Sequence, residues 1–245
     1  MSRHNVKVLV SELVAERPSR SRFFEQLGIE YCCGGRRPLD EVCAEKGLDA
    51  NTLLNTLHAM EAAGRGGDGE RDWSKASIEE LIANITEAHH AFLREELPRL
   101  SALVDHVAES HGDQEPRLLL LRGCFQDLRG EMEPHLDLEE EGVFRDILNL
   151  SMERGSRDSS SRADAAQAKE DLMASLESLE GEHRSTAEQL HRIEALTDRF
   201  EAPGWACNSF RALYDGLREL AADIHEHVHK ENNILFPAVR KALAR

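Results

Sequence analysis

Two stretches of this chain repeat a pattern that few folds can satisfy. His135-Leu136-Asp137-Leu138-Glu139 and His227-Val228-His229-Lys230-Glu231 each place an imidazole four residues before a carboxylate. Residues four apart lie on one face of an α-helix, so each pair can offer both side chains to a single point. The segments that follow are also alike, Glu140-Glu141-Gly142-Val143-Phe144 and Asn232-Asn233-Ile234-Leu235-Phe236-Pro237. A repeat of this kind on two helices predicts a pseudo-twofold bundle with a metal site on its axis.

The rest of the chain supports helices. Only 5% of residues are aromatic, and strand-like alternation of β-branched and aromatic residues is nowhere sustained, so the class is all-α. Four long helices are predicted, over about 75–110, from about 116 to 150, over about 164–200 and over about 205–243. Ile78, Ile82, Ile85, Phe92, Leu97, Leu100 and Val104 form the apolar stripe of the first. Pro98 is expected to kink that helix, because proline removes a backbone donor. Polar connections separate the helices: His111 to Pro116, the Ser/Arg-rich stretch Arg154 to Arg162, and Ala202-Pro203-Gly204. Short connections make neighbours antiparallel, which gives an up-down-up-down four-helix bundle.

Two further ligands should then come singly from helices 1 and 3. Counting outward from the connections puts His90, His135, His183 and His227 about 20–25 residues from each turn. At about 1.5 Å per residue they reach a common height. Two glutamates able to bridge and two histidines for each metal ion suit a pair of irons with positions left open for dioxygen or nitric oxide. Zinc would be expected to show cysteines or a three-histidine set. Glu131, one turn before His135, and Glu182, beside His183, are candidates for orienting the ligands or relaying protons. His89 is a rival to His90, only about 100° around the helix. His111 lies roughly 30 Å along it and is expected to take no part. His225 and His229 point away from His227 and Glu231 and are expected in solvent, as are Glu140 and Glu141.

A glycine-rich break, Gly64-Arg65-Gly66-Gly67-Asp68-Gly69, divides the chain into residues 1–68 and 69–245. The first segment is expected to be a small helical domain, with helices over about 6–16, 19–27, 38–46 and 50–62 and a turn at Tyr31-Cys32-Cys33-Gly34-Gly35. The balance of 30 Lys and Arg against 46 Asp and Glu, a formal charge of −16, repels phosphate backbones and anionic lipid. Nucleic acid and membrane are therefore not expected as partners. No apolar run approaches the roughly 18 residues of a membrane span, and the polar N-terminus carries no secretion pattern. Five cysteines make no disulfide framework, which fits a cytoplasmic setting. Cys43, Cys124 and Cys207 read as small apolar fillers. Cys32 and Cys33 are expected to be exposed, with Arg36 and Arg37 favouring thiolate.

The Tyr-Cys-Cys-Gly-Gly turn in a short helical domain, followed by a hemerythrin-like bundle ending His227-x-x-x-Glu231-Asn232-Asn233-Ile234-Leu235-Phe236-Pro237, resembles the iron-sulfur cluster repair di-iron (RIC) proteins over nearly the whole chain. The family's ligand positions fall on His90, His135, Glu139, His183, His227 and Glu231. One departure is Val143-Phe144-Arg145, where the family commonly shows an ILFP-like end. The resemblance implies two non-haem irons bridged by carboxylates and an oxo or hydroxo group. It also implies a cytoplasmic stress protein whose clients are iron-sulfur proteins damaged by nitric oxide or peroxide. Iron donation and reduction of nitric oxide are both open, so enzymatic turnover is open too, as is the oligomeric state, a homodimer included. Cys32 and Cys33 would pass electrons to the irons or dock a client cluster. The alternative is a hemerythrin-type sensor that binds oxygen or nitric oxide without turnover.

Overall fold

A computed structural model of the chain describes residues 5–62, 71–153 and 162–244. The glycine-rich break and the Ser/Arg-rich connection, apart from Arg162, lie outside the described residues. Those residues are helical throughout except for turns and one isolated bridge, Leu9 with Pro38. No helix among them is long and apolar enough to cross a membrane. The chain packs as two compact units, residues 1–81 joined by 225–245, and residues 82–224.

In the first unit four helices come from the N-terminal residues: α1 (Val10–Glu16), α2 (Arg20–Gln26), α3 (Leu39–Glu45) and α4 (Ala50–Ala62). Gly28 (φ +61°) and Gly47 (φ +67°) follow α2 and α3 in the left-handed conformation that lets a helix end without a Cβ clash. Asp49 accepts from the Thr52 amide at 2.7 Å and fixes the start of α4. Val10, Val14, Phe24, Leu39 and Leu54 are buried here. The start of α5 (Ile78–Asn84) is set by a reciprocal pair: the Ser77 amide donates to Glu80 at 2.9 Å and the Glu80 amide to Ser77 Oγ at 3.2 Å. The end of α10 (Asn208–Lys230) and α11 (Phe236–Leu243) complete this unit.

The second unit carries the bundle. Its helices are α6 (Ala91–His111), α7 (Arg117–Leu138) continued by α8 (Phe144–Glu153), α9 (Arg162–Leu196) and α10 up to Ile224. Apolar residues at helical spacing, Leu93, Leu97, Leu100 and Val104 on α6 and Leu121, Phe125, Leu128 and Met132 on α7, are almost fully buried. Each such side chain contributes roughly 1.5–3 kcal/mol of transfer free energy. α6 and α10 approach closely: a Cβ on Gly216 would stand 2.7 Å from Leu100 Cδ2. Pro98 sits inside α6 without ending it.

The long helices are not uninterrupted, contrary to the expectation from periodicity. Among the described residues three π turns interrupt them, Ile85–His90, Glu139–Val143 and Glu231–Leu235. Each opens or closes on a candidate ligand: His90 ends the first, Glu139 begins the second, Glu231 begins the third. Such single turns recur at functional sites because they re-aim side chains against the regular helical phase.

Candidate metal centre

Within the second unit, three of the candidate ligands converge on a fourth, the Glu139 carboxylate. Glu139 is fully buried (0% exposed) at the junction of α7 with its π turn. His90 Nε2 lies 3.3 Å from Glu139 Oε2, His135 Nε2 3.4 Å from Oε1, and His183 Nε2 3.8 Å from Oε1. His135 and His183 approach each other nitrogen to nitrogen at 3.1 Å. All three rings are buried.

The outer nitrogens of two of these rings explain their orientation. His90 Nδ1 donates to Glu140 Oε1 at 2.8 Å, and His135 Nδ1 donates to Glu182 Oε2 at 2.8 Å. A proton held on Nδ1 leaves Nε2 as a lone-pair donor facing Glu139. His90 is further fixed by stacking on Phe144, ring centroids 5.7 Å apart and 17° from parallel. The result is a buried site in which the His90 and His135 lone pairs face a carboxylate, an arrangement that a cation stabilises. Nitrogen and oxygen donors without sulfur suit iron rather than a thiolate-bound zinc.

In the first unit, His227 Nε2 lies 3.0 Å from Glu231 Oε1, and both residues are fully buried. This is the same imidazole-carboxylate pair, four residues apart on one helical face, that His135 and Glu139 make in the second unit.

The remaining candidates sit as follows. Glu182 is the partner of His135 just described, and Glu131 accepts from Ser185 Oγ at 3.2 Å. Both line a groove between α7 and α9, with Pro134, His135, Leu138 and Thr186 on its walls. His89 is buried and paired with Asp223, Nδ1 to Oδ1 at 2.8 Å. His111 stands at the other end of α6 against Cys207 Sγ (3.2 Å), Trp205 and Phe210.

Several expectations need correction. Glu140 is no idle member of a solvated face: it holds His90 and also pairs with Arg94 at 3.1 Å. His225 and His229 are buried, not solvated, because Tyr31 covers them with ring centroids at 6.3 and 5.5 Å. His229 Nδ1 donates to the Tyr31 carbonyl at 3.1 Å, and desolvation lowers its pKa to about 4, so the ring is neutral. Cys32 is buried rather than exposed, and its thiol is held well above the usual range by its hydrogen bond with Cys33, then by burial and by Glu30. Arg36 instead donates to the Asn232 carbonyl, and Arg37 pairs with Glu45. Cys207 is exposed, so only Cys43 of the three supposed fillers is fully buried.

Comparison with known proteins adds a lineage to this geometry. Residues 81–239 match the hemerythrin HHE cation binding domain, and residues 7–61 match a domain of unknown function, ScdA_N. The chain is 33% identical to the iron-sulfur cluster repair protein YtfE of Edwardsiella ictaluri, over 93% of this chain and 94% of that one. It is 30% identical to the iron-sulfur cluster repair protein ScdA of Staphylococcus haemolyticus, over 93% and 96%. A probable iron-sulfur cluster repair protein of Haemophilus influenzae is 29% identical over 94% and 95%.

Proposed function

We propose, because the chain belongs to the iron-sulfur cluster repair family, that it restores iron-sulfur clusters in damaged proteins by means of a pair of non-haem irons. The ligands are His90, His135, Glu139, His183, His227 and Glu231, with residues 69–245 as the iron-bearing segment and 1–68 as its accessory. The observation that carries this reading is Glu139, a fully buried carboxylate ringed by three imidazole Nε2 atoms at 3.3–3.8 Å. Bound there, ferrous ions supply exchangeable iron and open positions for nitric oxide or dioxygen.

The chain's own residues divide the remaining work. Glu140 and Glu182 hold the imidazoles of His90 and His135 in the donor tautomer. Glu131 and Glu182 give the groove beside His135 two carboxylates, which favours passage of a cation over that of an anion. This acidic groove supports iron donation to client proteins in the cytoplasm. Cys32 and Cys33 act as a redox or client-docking element. The match to a hemerythrin domain favours one second reading, a sensor that binds nitric oxide or dioxygen without turnover.

Iron content after anaerobic purification tests the centre. The wild type is expected to hold about two irons per chain, and His135→Ala/His227→Ala to lose them. Iron-loaded protein should then restore activity to a nitric-oxide-damaged [4Fe-4S] dehydratase, with Glu131→Gln, which thins the acidic groove without touching a ligand, slower. A metal-free wild type, or zinc held equally well by the double variant, overturns the ligand assignment. A stable nitrosyl with no iron transfer selects the sensor.

A further inference from the structure

The turn between α2 and α3 carries donors that a histidine-carboxylate iron centre leaves unused. Glu30, Cys32 and Cys33 each present a ligand atom, and these atoms lie within 4.8 Å of one another. Cys32 Sγ is 3.4 and 3.7 Å from the two Glu30 carboxylate oxygens. Cys32 is buried, while Glu30 and Cys33 are half-buried, so the group is reachable from one side. Neither cysteine is in a disulfide.

The turn is held in shape by its surroundings. Asn233 Nδ2 donates to the Cys32 carbonyl at 2.7 Å and to the Tyr31 carbonyl at 3.3 Å, and His229 adds its bond to Tyr31. A Cβ on Gly35 would fall 2.0 Å from the Tyr31 carbonyl oxygen, so only glycine closes the loop here. Side chains of neighbouring residues ordinarily diverge. Here the backbone is pinned so that two adjacent sulfurs and a carboxylate converge, which is a preorganised donor set rather than an incidental one.

We propose that Glu30, Cys32 and Cys33 form a three-donor site for a borderline divalent cation of the Fe2+ or Zn2+ class. Thiolate sulfur and carboxylate oxygen together match that class, and sulfur distinguishes the site from the nitrogen and oxygen donors of the bundle. Each thiol gives its proton to solvent as its sulfur binds, so two protons leave for each cation taken up. Three protein donors leave a fourth position open, the mark of a site that exchanges its ion rather than burying it. The site goes beyond the repair reading, which uses no sulfur ligand.

Cobalt(II) titration of the reduced full-length protein, given only enough iron to fill the bundle, tests it under anaerobic conditions, because thiolate-to-cobalt charge transfer absorbs in the near ultraviolet. A band saturating at about one equivalent is expected. It should fall to half in Cys33→Ser, and the apparent affinity should drop at least about tenfold in Glu30→Gln. Cys33 is the half-buried thiol, and an unchanged far-ultraviolet circular dichroism spectrum and melting temperature show that its serine variant is folded. Cobalt entering the bundle adds no sulfur band, so this proposal and the iron-centre assignment fail independently. No band in the wild type, an undiminished band in Cys33→Ser, or full affinity in Glu30→Gln overturns it.

Discussion

Two carboxylates, Glu140 and Glu182, hold His90 and His135 from behind at 2.8 Å, and their removal should cost metal without costing the fold. Glu140→Ala and Glu182→Gln are each expected to weaken iron retention about 10–100-fold, read as the rate of iron loss to a chelator. Glu141→Ala, one residue from Glu140 and exposed, is expected to change nothing, and an equal loss in both variants would refute the role given to Glu140. In sequence, Glu139, Glu140 and Glu141 are three identical neighbours, and the repeat with His227 and Glu231 singles out only Glu139. The partner that distinguishes Glu140 is His90, which sits on another helix. The same limit hid His229: helical phase correctly turned it away from His227, but a residue facing away meets solvent or another part of the chain. Here it meets Tyr31, 198 residues distant.

At the level of elements, helix existence was legible because apolar residues recur every three or four positions, whereas the first long helix, expected from about 75, starts at Ile78 behind the Ser77–Glu80 pair. The π turns were not, since one extra residue in a turn leaves hydropathy almost unchanged. A π turn accommodates one residue more than the α-helix it interrupts, which makes its function separable from its stability. Deleting Gly142 from the Glu139–Val143 turn should regularise the helix while Phe144 and Ile147 stay in the core. The expected outcome is a melting temperature unchanged or raised, with iron content reduced; a collapse of both would mean that the turn is structural. Glycines test the packing more directly. Gly216→Ala forces α6 and α10 apart at Leu100, and destabilisation of about 1–3 kcal/mol in denaturant unfolding is expected. Gly35→Ala should abolish the cobalt-thiolate band, because its Cβ collides with backbone rather than with a yielding side chain.

For the whole molecule, burying carboxylates and imidazoles together is tolerable chiefly when a cation is present, so iron and folding are linked. Free ferrous ion at 100 times its dissociation constant should add about 2.7 kcal/mol to stability. The melting temperature should therefore rise with ferrous ion in the wild type and not in His135→Ala/His227→Ala; equal shifts in both would place the stabilising iron elsewhere. The division into compact units has a consequence for how the protein is made. Residues 225–245 belong with residues 1–81, so the first unit to leave the ribosome is the last to be completed. Its Tyr31 turn waits for His229, 198 residues later, which at about 5–20 residues per second is roughly 10–40 s. During that interval Cys32 and Cys33 ride on a nascent chain without the asparagine and histidine that will pin them. Newborn molecules thus offer Cys32 to solvent and oxidants, whereas in the finished fold that thiol is buried.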